Sequence, residues 1–264
     1  MSDLLDLVNS AEDEPPKRPR RQKTPRRGVA SRIVGVFGEL LITAGVLVLL
    51  FLGWQFSLNG IMLSNHQSSD ASSLSQSWAT GSGSSTPPST AAASAPPTTT
   101  ASFPFGEPPV LATPSAAQEF AVVYVPRFGS DFKKLNNGGA GHYPSTQMPG
   151  QVGNFAIAAH RDGWGSPFLK INELQVGDPI YVETQDGWYT YTFRGLEYVT
   201  PYGVGVIDPV PQVPGATPTD RLITLTSCNP LYIASERIIA YGVLTGWQPR
   251  SAGAPAEIAG IVGA

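Results

Sequence analysis

Three residues in this chain could act together on a carbonyl: Cys228, His160 and Arg237. Cys228 is the only cysteine. A lone thiol forms no internal disulfide, and its common fate is burial as a small hydrophobe, a reading that stays open at this point. Its context points the other way. Cys228 ends the strand-like run Leu222-Ile223-Thr224-Leu225-Thr226-Ser227-Cys228, and Asn229-Pro230 then stops the strand. A thiol that attacks a carbonyl needs a proton donor for the leaving amine. His160 ends a second apolar run, Asn154 to His160, before the turn Arg161-Asp162-Gly163-Trp164-Gly165. His142, in the Gly- and Pro-rich stretch from Gly138 to Pro144, reads as a surface-loop residue. Arg237 opens the next strand-like run, nine residues after Cys228. There it could donate to the oxygen of a tetrahedral intermediate, although an arginine at a strand start is otherwise an ordinary solvated charge.

The elements that must position these residues are short strands. Candidate strands are Phe120–Pro126, Asn154–Ala159, Pro179–Glu183, Trp188–Val199, Leu222–Ser227 and Arg237–Leu244. In Tyr189-Thr190-Tyr191-Thr192-Phe193 aromatic and threonine residues alternate, the period of a half-buried strand. One short helix is expected at Phe168–Leu174, and no long amphipathic helix is evident. An all-β domain over residues 119–250 is expected to close as a barrel or sandwich. If the strands ending at His160 and Cys228 run parallel as neighbours, both residues meet at one rim. A short turn through Leu231–Glu236 would bring Arg237 back antiparallel beside Cys228.

The rest of the chain is segmented. Residues 1–32 carry Lys17, Arg18, Arg20, Arg21, Lys23, Arg26, Arg27 and Arg32 among prolines, and read as a basic, disordered cytoplasmic tail. Residues 33–58 read as a transmembrane helix: Glu39 is the only charge between Ile33 and Trp54, and about 20 apolar residues suffice to cross a bilayer. The apolar run is longer than a signal-peptide core and lacks a small-residue cleavage site, so an uncleaved anchor is expected. The positive flank places the N-terminus in the cytoplasm and the chain beyond Leu58 outside. Residues 59–118, rich in Ser, Thr, Ala and Pro, read as a disordered extracellular linker, a coil spanning roughly 40 Å. Residues 251–264 read as a flexible C-terminal tail. The formal net charge of −3 gives no basis for a nucleic-acid partner.

Taken in order, these motifs resemble the sortase family. The resemblance rests on Thr224-Leu225-Thr226-Ser227-Cys228, on Ala159-His160-Arg161, and on Ser235-Glu236-Arg237-Ile238-Ile239-Ala240-Tyr241-Gly242. Ser227 stands where the family usually has threonine. Cys228-Asn229-Pro230-Leu231-Tyr232 is most similar to the class E group of actinobacteria. The resemblance covers about residues 118–248. It implies an eight-stranded β-barrel, and a cysteine transpeptidase in which Cys228 is the nucleophile, His160 the acid and base, and Arg237 the oxyanion donor. The substrate it implies is a secreted protein with a C-terminal sorting signal, of LAxTG or LPxTG type, cleaved between Thr and Gly. The acceptor it implies is the amine of a peptidoglycan precursor, lipid-linked at the outer face of the plasma membrane of a Gram-positive, actinobacterial cell.

Thr226, Ser227, Arg161 and Tyr202 are further candidates for substrate contact, and the loop Pro201–Thr219 for a wall of the signal groove. No cofactor and no metal is expected, since Asp162, Glu173, Asp178, Glu183, Asp186 and Asp208 are scattered. The alternatives are a pilin-polymerising sortase, a membrane-anchored cysteine hydrolase, and a non-catalytic wall-binding domain. An N-terminal lid with an Asp-Pro-aromatic motif would favour the first, and Phe103-Pro104-Phe105 lacks the Asp.

Overall fold

The computed structural model describes residues 28–55, 59–81, 103–115, 117–129, 133–134 and 139–262. The basic tail up to residue 27, and residues 82–102 of the expected linker, lie outside these. The described chain divides into two compact units, with the boundary between Phe51 and Leu52.

The first unit is dominated by helix α1, Val29–Gly53. Its stretch Ser31–Gly53 has a mean hydropathy of 2.4. At 1.5 Å per residue that length reaches about 35 Å, enough to cross a hydrocarbon core.

The second unit is built on strands β1 (Val122–Tyr124), β2 (Lys133–Lys134), β3 (Ala140–His142), β4 (Gly153–Ala159), β5 (Pro179–Glu183), β6 (Gly187–Val199), β7 (Arg221–Asn229) and β8 (Glu236–Pro249). They form one eight-stranded sheet in the order β2-β1-β5-β6-β8-β7-β4-β3. All six expected strands are present, and the short β2 and β3 are additional. Neither offers enough alternating residues to be read from sequence. The pairings are antiparallel except β4 with β7, which is parallel.

The long strands β6 and β8 change register twice, between Thr190 and Tyr191 and between Phe193 and Gly195. Such bulges bend a strand and increase its twist, and here they help curl the sheet into the expected barrel. The inward face is apolar: Phe155 and Ile157 from β4, Tyr189, Tyr191 and Phe193 from β6, Ile223 and Leu225 from β7, all no more than 2% exposed. Thr190 and Thr192, between the aromatics, are only half-buried. Each fully buried side chain of this size contributes about 1.5–3 kcal/mol.

Two segments depart from the sequence expectation. Residues Asn59–Gly81, expected as coil, form helix α2. Its apolar demand is small because it buries Ala71 completely and packs Leu74 and Trp78, at helical spacing, against Tyr124, Tyr181 and Trp188 on the outside of the sheet. Residues from Arg250 onward, expected to fray, pack too: Ile258 is fully buried in the same cluster, and Tyr181 donates to Glu257 at 2.8 Å. One buried carboxylate ties these parts together. Glu183 Oε1 accepts from Ser75 of α2 at 2.9 Å and pairs with Arg250 Nη1 at 3.0 Å. Its Oε2 accepts from Tyr124 at 2.6 Å. Arg250 also lies 4.7 Å over the Trp188 ring and 5.5 Å over Trp78.

Residues 103–115 likewise lie on the domain. Phe103 is buried beneath the Arg221 guanidinium, Arg221 pairs with Glu107 at 2.5 Å, and Tyr189 donates to the Pro109 carbonyl at 2.6 Å.

Candidate active site

Register brings the three chemistry-bearing residues together. On β7 and β8, Cys228 and Arg237 are direct cross-strand partners. On the other side of β7, the parallel strand β4 pairs Ala158 with Thr226. His160 lies two residues beyond the first and Cys228 two beyond the second, at the same end of strands that run the same way. All three line one cavity of about 870 Å³. His160 is exposed, while Cys228 and Arg237 are half-buried.

Hydrogen bonds across the strand ends hold this rim. Ser227 donates to the Ala159 carbonyl at 2.7 Å, which ties the residue before the cysteine to the residue before the histidine. Arg161 and Asn229, the residues after the histidine and the cysteine, are tied by a bond from Arg161 Nη1 to Asn229 Oδ1. Arg161 also donates to Asn172 at 2.8 Å, and Asn229 to Glu236 at 3.0 Å. Beyond them, Asp162 Oδ2 accepts the Tyr232 N–H at 2.7 Å. The loop that carries His160 is thus fastened to the turn between β7 and β8.

The His160 side chain makes no hydrogen bond among the described residues, and the ring of Trp164 stacks on it with centroids 6.2 Å apart. Arg237 Nη1 donates to the Ala234 and Glu236 carbonyls at 3.0 and 2.8 Å. That fixes the guanidinium on the turn and leaves its Nε and Nη2 donors without a partner among the described residues. An acyl group on Cys228 would find a proton carrier on one neighbouring strand end and a permanently charged donor on the other.

The cavity wall opposite comes from the β6–β7 loop, through Pro201, Gly203, Val204, Val206 and Ile207. Asn154, fully buried on β4, anchors this loop by donating to the Val206 and Asp208 carbonyls at 3.3 and 3.0 Å, and accepts from Thr224 at 2.8 Å. A third wall is Thr113, Pro114, Ser115 and Ala117. These sit in the stretch whose composition suggests a spacer, so sequence carried no signal for them.

The arrangement has a counterpart in a known family. The sortase domain model matches residues 111–245.

This chain belongs to the sortase family. It is 35% identical over 255 residues to SrtE1 of Streptomyces coelicolor, covering 89% of this chain and 64% of that relative. It is 32% identical over 235 residues to SrtE2 of the same organism, covering 85% of this chain and 87% of SrtE2. Thus the chain spans somewhat under two thirds of the length of the first and most of the second. Among solved structures it is similar to the SrtA sortase of Actinomyces oris, with a TM-score of 0.54 and 38% identity over 57% of this chain and 93% of that one. The crystal structure of S. coelicolor sortase E1 with a tripeptide in its active site matches with a TM-score of 0.50 and 36% identity over 54% of this chain and 97% of that one.

Of the candidate contact residues in this sortase, Thr226 and Ser227 line the cavity. Thr226 also lies 3.0 Å from the Tyr143 hydroxyl, a partner that sequence did not single out. Tyr202, 89% exposed, sits between the lining residues Pro201 and Gly203 without lining the cavity itself. Arg161 is a correction. Its side chain is buried and spent on Asn229, Asn172 and the Leu169 carbonyl, so it positions the rim and does not face the cavity. Trp164, passed over as part of a turn, is the residue whose ring covers the histidine. Among the described residues no group of three His, Cys, Asp or Glu stands close enough to hold a metal.

His142 is a second correction. It belongs to β3, is 8% exposed, and lies against Phe120 and Phe155. Its Nε2 is 3.1 Å from both the Gln147 carbonyl and the Thr146 hydroxyl. Burial holds its pKa below the usual 6.5. The unfolded chain therefore takes up a proton near pH 6.5 that the folded chain resists. Stability is full above that value and falls as pH drops through the lowered folded pKa. Urea unfolding at pH 7.5 and 5 should show this loss in the wild type and a smaller loss in His142→Gln.

Proposed function

We propose that this sortase cleaves a C-terminal sorting signal of LAxTG or LPxTG type between Thr and Gly, and transfers the new C-terminus to the amine of a lipid-linked peptidoglycan precursor. The convergence of Cys228, His160 and Arg237 on a single cavity carries this reading. Cys228 attacks the Thr carbonyl carbon, and the free donors of Arg237 hold the negative oxygen that forms. His160 protonates the departing glycine amine, which leaves a thioacyl enzyme. An acceptor amine then displaces the Cys228 sulfur while His160 takes the proton from nitrogen.

An extended peptide suits the cavity of about 870 Å³ lined by the β6–β7 loop and the strand ends, and the tripeptide held in the active site of S. coelicolor sortase E1 is a ligand of the same class. Residues 33–58 would serve as the membrane anchor and residues 119–250 as the catalytic domain, outside the plasma membrane of an actinobacterial cell. The membrane setting rests on the apolar helix and the basic flank before it.

The test is to incubate the full chain in detergent with LAxTG and LPxTG peptides, with and without an amine acceptor, and to monitor products by mass spectrometry. Cleavage between Thr and Gly and an amine adduct are expected. Cleavage with hydrolysis alone at saturating amine would favour a cysteine hydrolase.

A further inference from the structure

A second cavity, of about 1290 Å³, opens between the first turns of α2 and the loop after His160. Its walls include Ile61, Leu63 and Ser64 of α2 and Asp162, Trp164 and Leu169 of the loop. Trp164 lines this cavity and the catalytic one alike, so the two meet at the ring that stacks on His160. That tryptophan is 71% exposed and sits at φ 51°, a left-handed conformation that side chains of this size rarely adopt. Gln67 of α2 donates to its carbonyl at 3.0 Å. The next residue, Gly165, has φ +76°, which strains any other residue, and a Cβ there would press on the Gln67 amide, 2.6 Å from its Oε1. The helix and the loop therefore define this groove together.

Its charge is as distinctive as its place. Asp162 is the one carboxylate lining either cavity among the described residues. One of its oxygens is anchored on the Tyr232 N–H, and an ionised carboxylate keeps further acceptor sites. The single lysine of the groove among the described residues, Lys170, donates to the Phe128 carbonyl at 3.2 Å.

We propose that this groove admits the acceptor, a peptide bearing a primary amine, and that Asp162 draws its ammonium group toward His160. The proposal rests on the transpeptidase reading above. Once the acyl chain is bound through Cys228, it fills the catalytic cavity, and the acceptor needs another path to the same carbonyl carbon. That path must end at the base, because an amine is mostly protonated at neutral pH. The groove reaches Trp164, whose ring stacks on the His160 imidazole. The ammonium gives one proton to His160, the nitrogen forms a bond to the thioacyl carbon, the carbon–sulfur bond breaks, and the departing Cys228 thiolate takes the second proton from the nitrogen as the amide forms.

The experiment uses the full chain in detergent, an LAxTG or LPxTG peptide, and triglycine as the acceptor probe, with N-acetyl-triglycine as the amine-free control. Asp162→Asn keeps an oxygen for the Tyr232 N–H. It should raise KM for triglycine about tenfold, the scale of one lost charge-assisted contact, and lower the ratio of aminolysis to hydrolysis. KM for the sorting peptide should move much less. Leu169→Lys, at a half-exposed position of the groove wall, should act in the same direction by adding a cation. An unchanged triglycine KM in both variants, or an equal rise in KM for both substrates, overturns the assignment. A wild-type chain that cleaves no sorting peptide overturns the transpeptidase reading and the groove with it.

Discussion

Cys228→Ala is expected to abolish cleavage of a sorting-signal peptide while the domain stays folded. The thiol sits at a strand end, half-buried on the cavity, and the hydrogen bonds that hold the rim run through its neighbours. Its removal therefore deletes the nucleophile without loosening the bonds of Ser227 and Asn229 that fix the rim. Thermal melting should match the wild type closely, and mass spectrometry should find no thioacyl adduct. Retained cleavage in this variant would end the nucleophile assignment.

His160→Ala and Arg237→Ala should each lower turnover by about 10²–10⁴-fold, the usual scale of lost proton transfer or oxyanion donation. Arg237→Lys should not rescue, because a single ammonium cannot both hold the turn carbonyls and reach an oxyanion. His142→Gln should leave turnover within a small factor of wild type, which separates the two histidines experimentally.

The largest expected stability effect lies on the far side of the domain. Arg250→Met leaves the Glu183 carboxylate, 0% exposed, with the Ser75 and Tyr124 hydroxyls as donors and without the countercharge of its ion pair. Breaking a buried ion pair from one side costs about 3–5 kcal/mol, so a Tm lower by about 10 °C is expected for a chain of this size. The double variant Glu183→Gln, Arg250→Met removes the uncompensated charge along with the arginine. It should be more stable than Arg250→Met alone, and that non-additivity is the signature of direct coupling. If the single variant melts like the wild type, the pair does not hold α2 and the C-terminal segment to the sheet. Tyr124 belongs to the same cluster. Its phenol is pushed upward by burial and by the Glu183 carboxylate, so it remains a hydrogen-bond donor throughout the physiological range.

Much of the site was legible in the sequence, for a local reason. The alternation in Tyr189–Phe193 and the apolar runs ending at His160 and Cys228 set strand identity and strand ends, which depend on residues close in the chain. Once those strands are neighbours, the spacing of nine residues between Cys228 and Arg237 is closed by one short turn. The remaining residues of the site resisted such reading because their partners are distant. Arg161 looks like a free charge until Asn229 and Asn172 are beside it. His142 looks exposed until Phe120 and Phe155 enclose it.

By itself, the sequence pointed to the all-β class, the membrane-length apolar helix, and Cys228, His160 and Arg237 as candidates at strand ends, because each rests on local periodicity or on a strand end. Only the tertiary structure decided that α2 and the C-terminal segment pack on the barrel. Their Ser, Ala and Gly composition is too poor in apolar surface to predict a docked segment. The aromatic outer face of Tyr124, Tyr181 and Trp188, with the buried Glu183 at its centre, supplies the contact surface that those segments lack. The same packing places α2 beside the His160 loop and so makes the second groove, which no stretch of the chain contains alone.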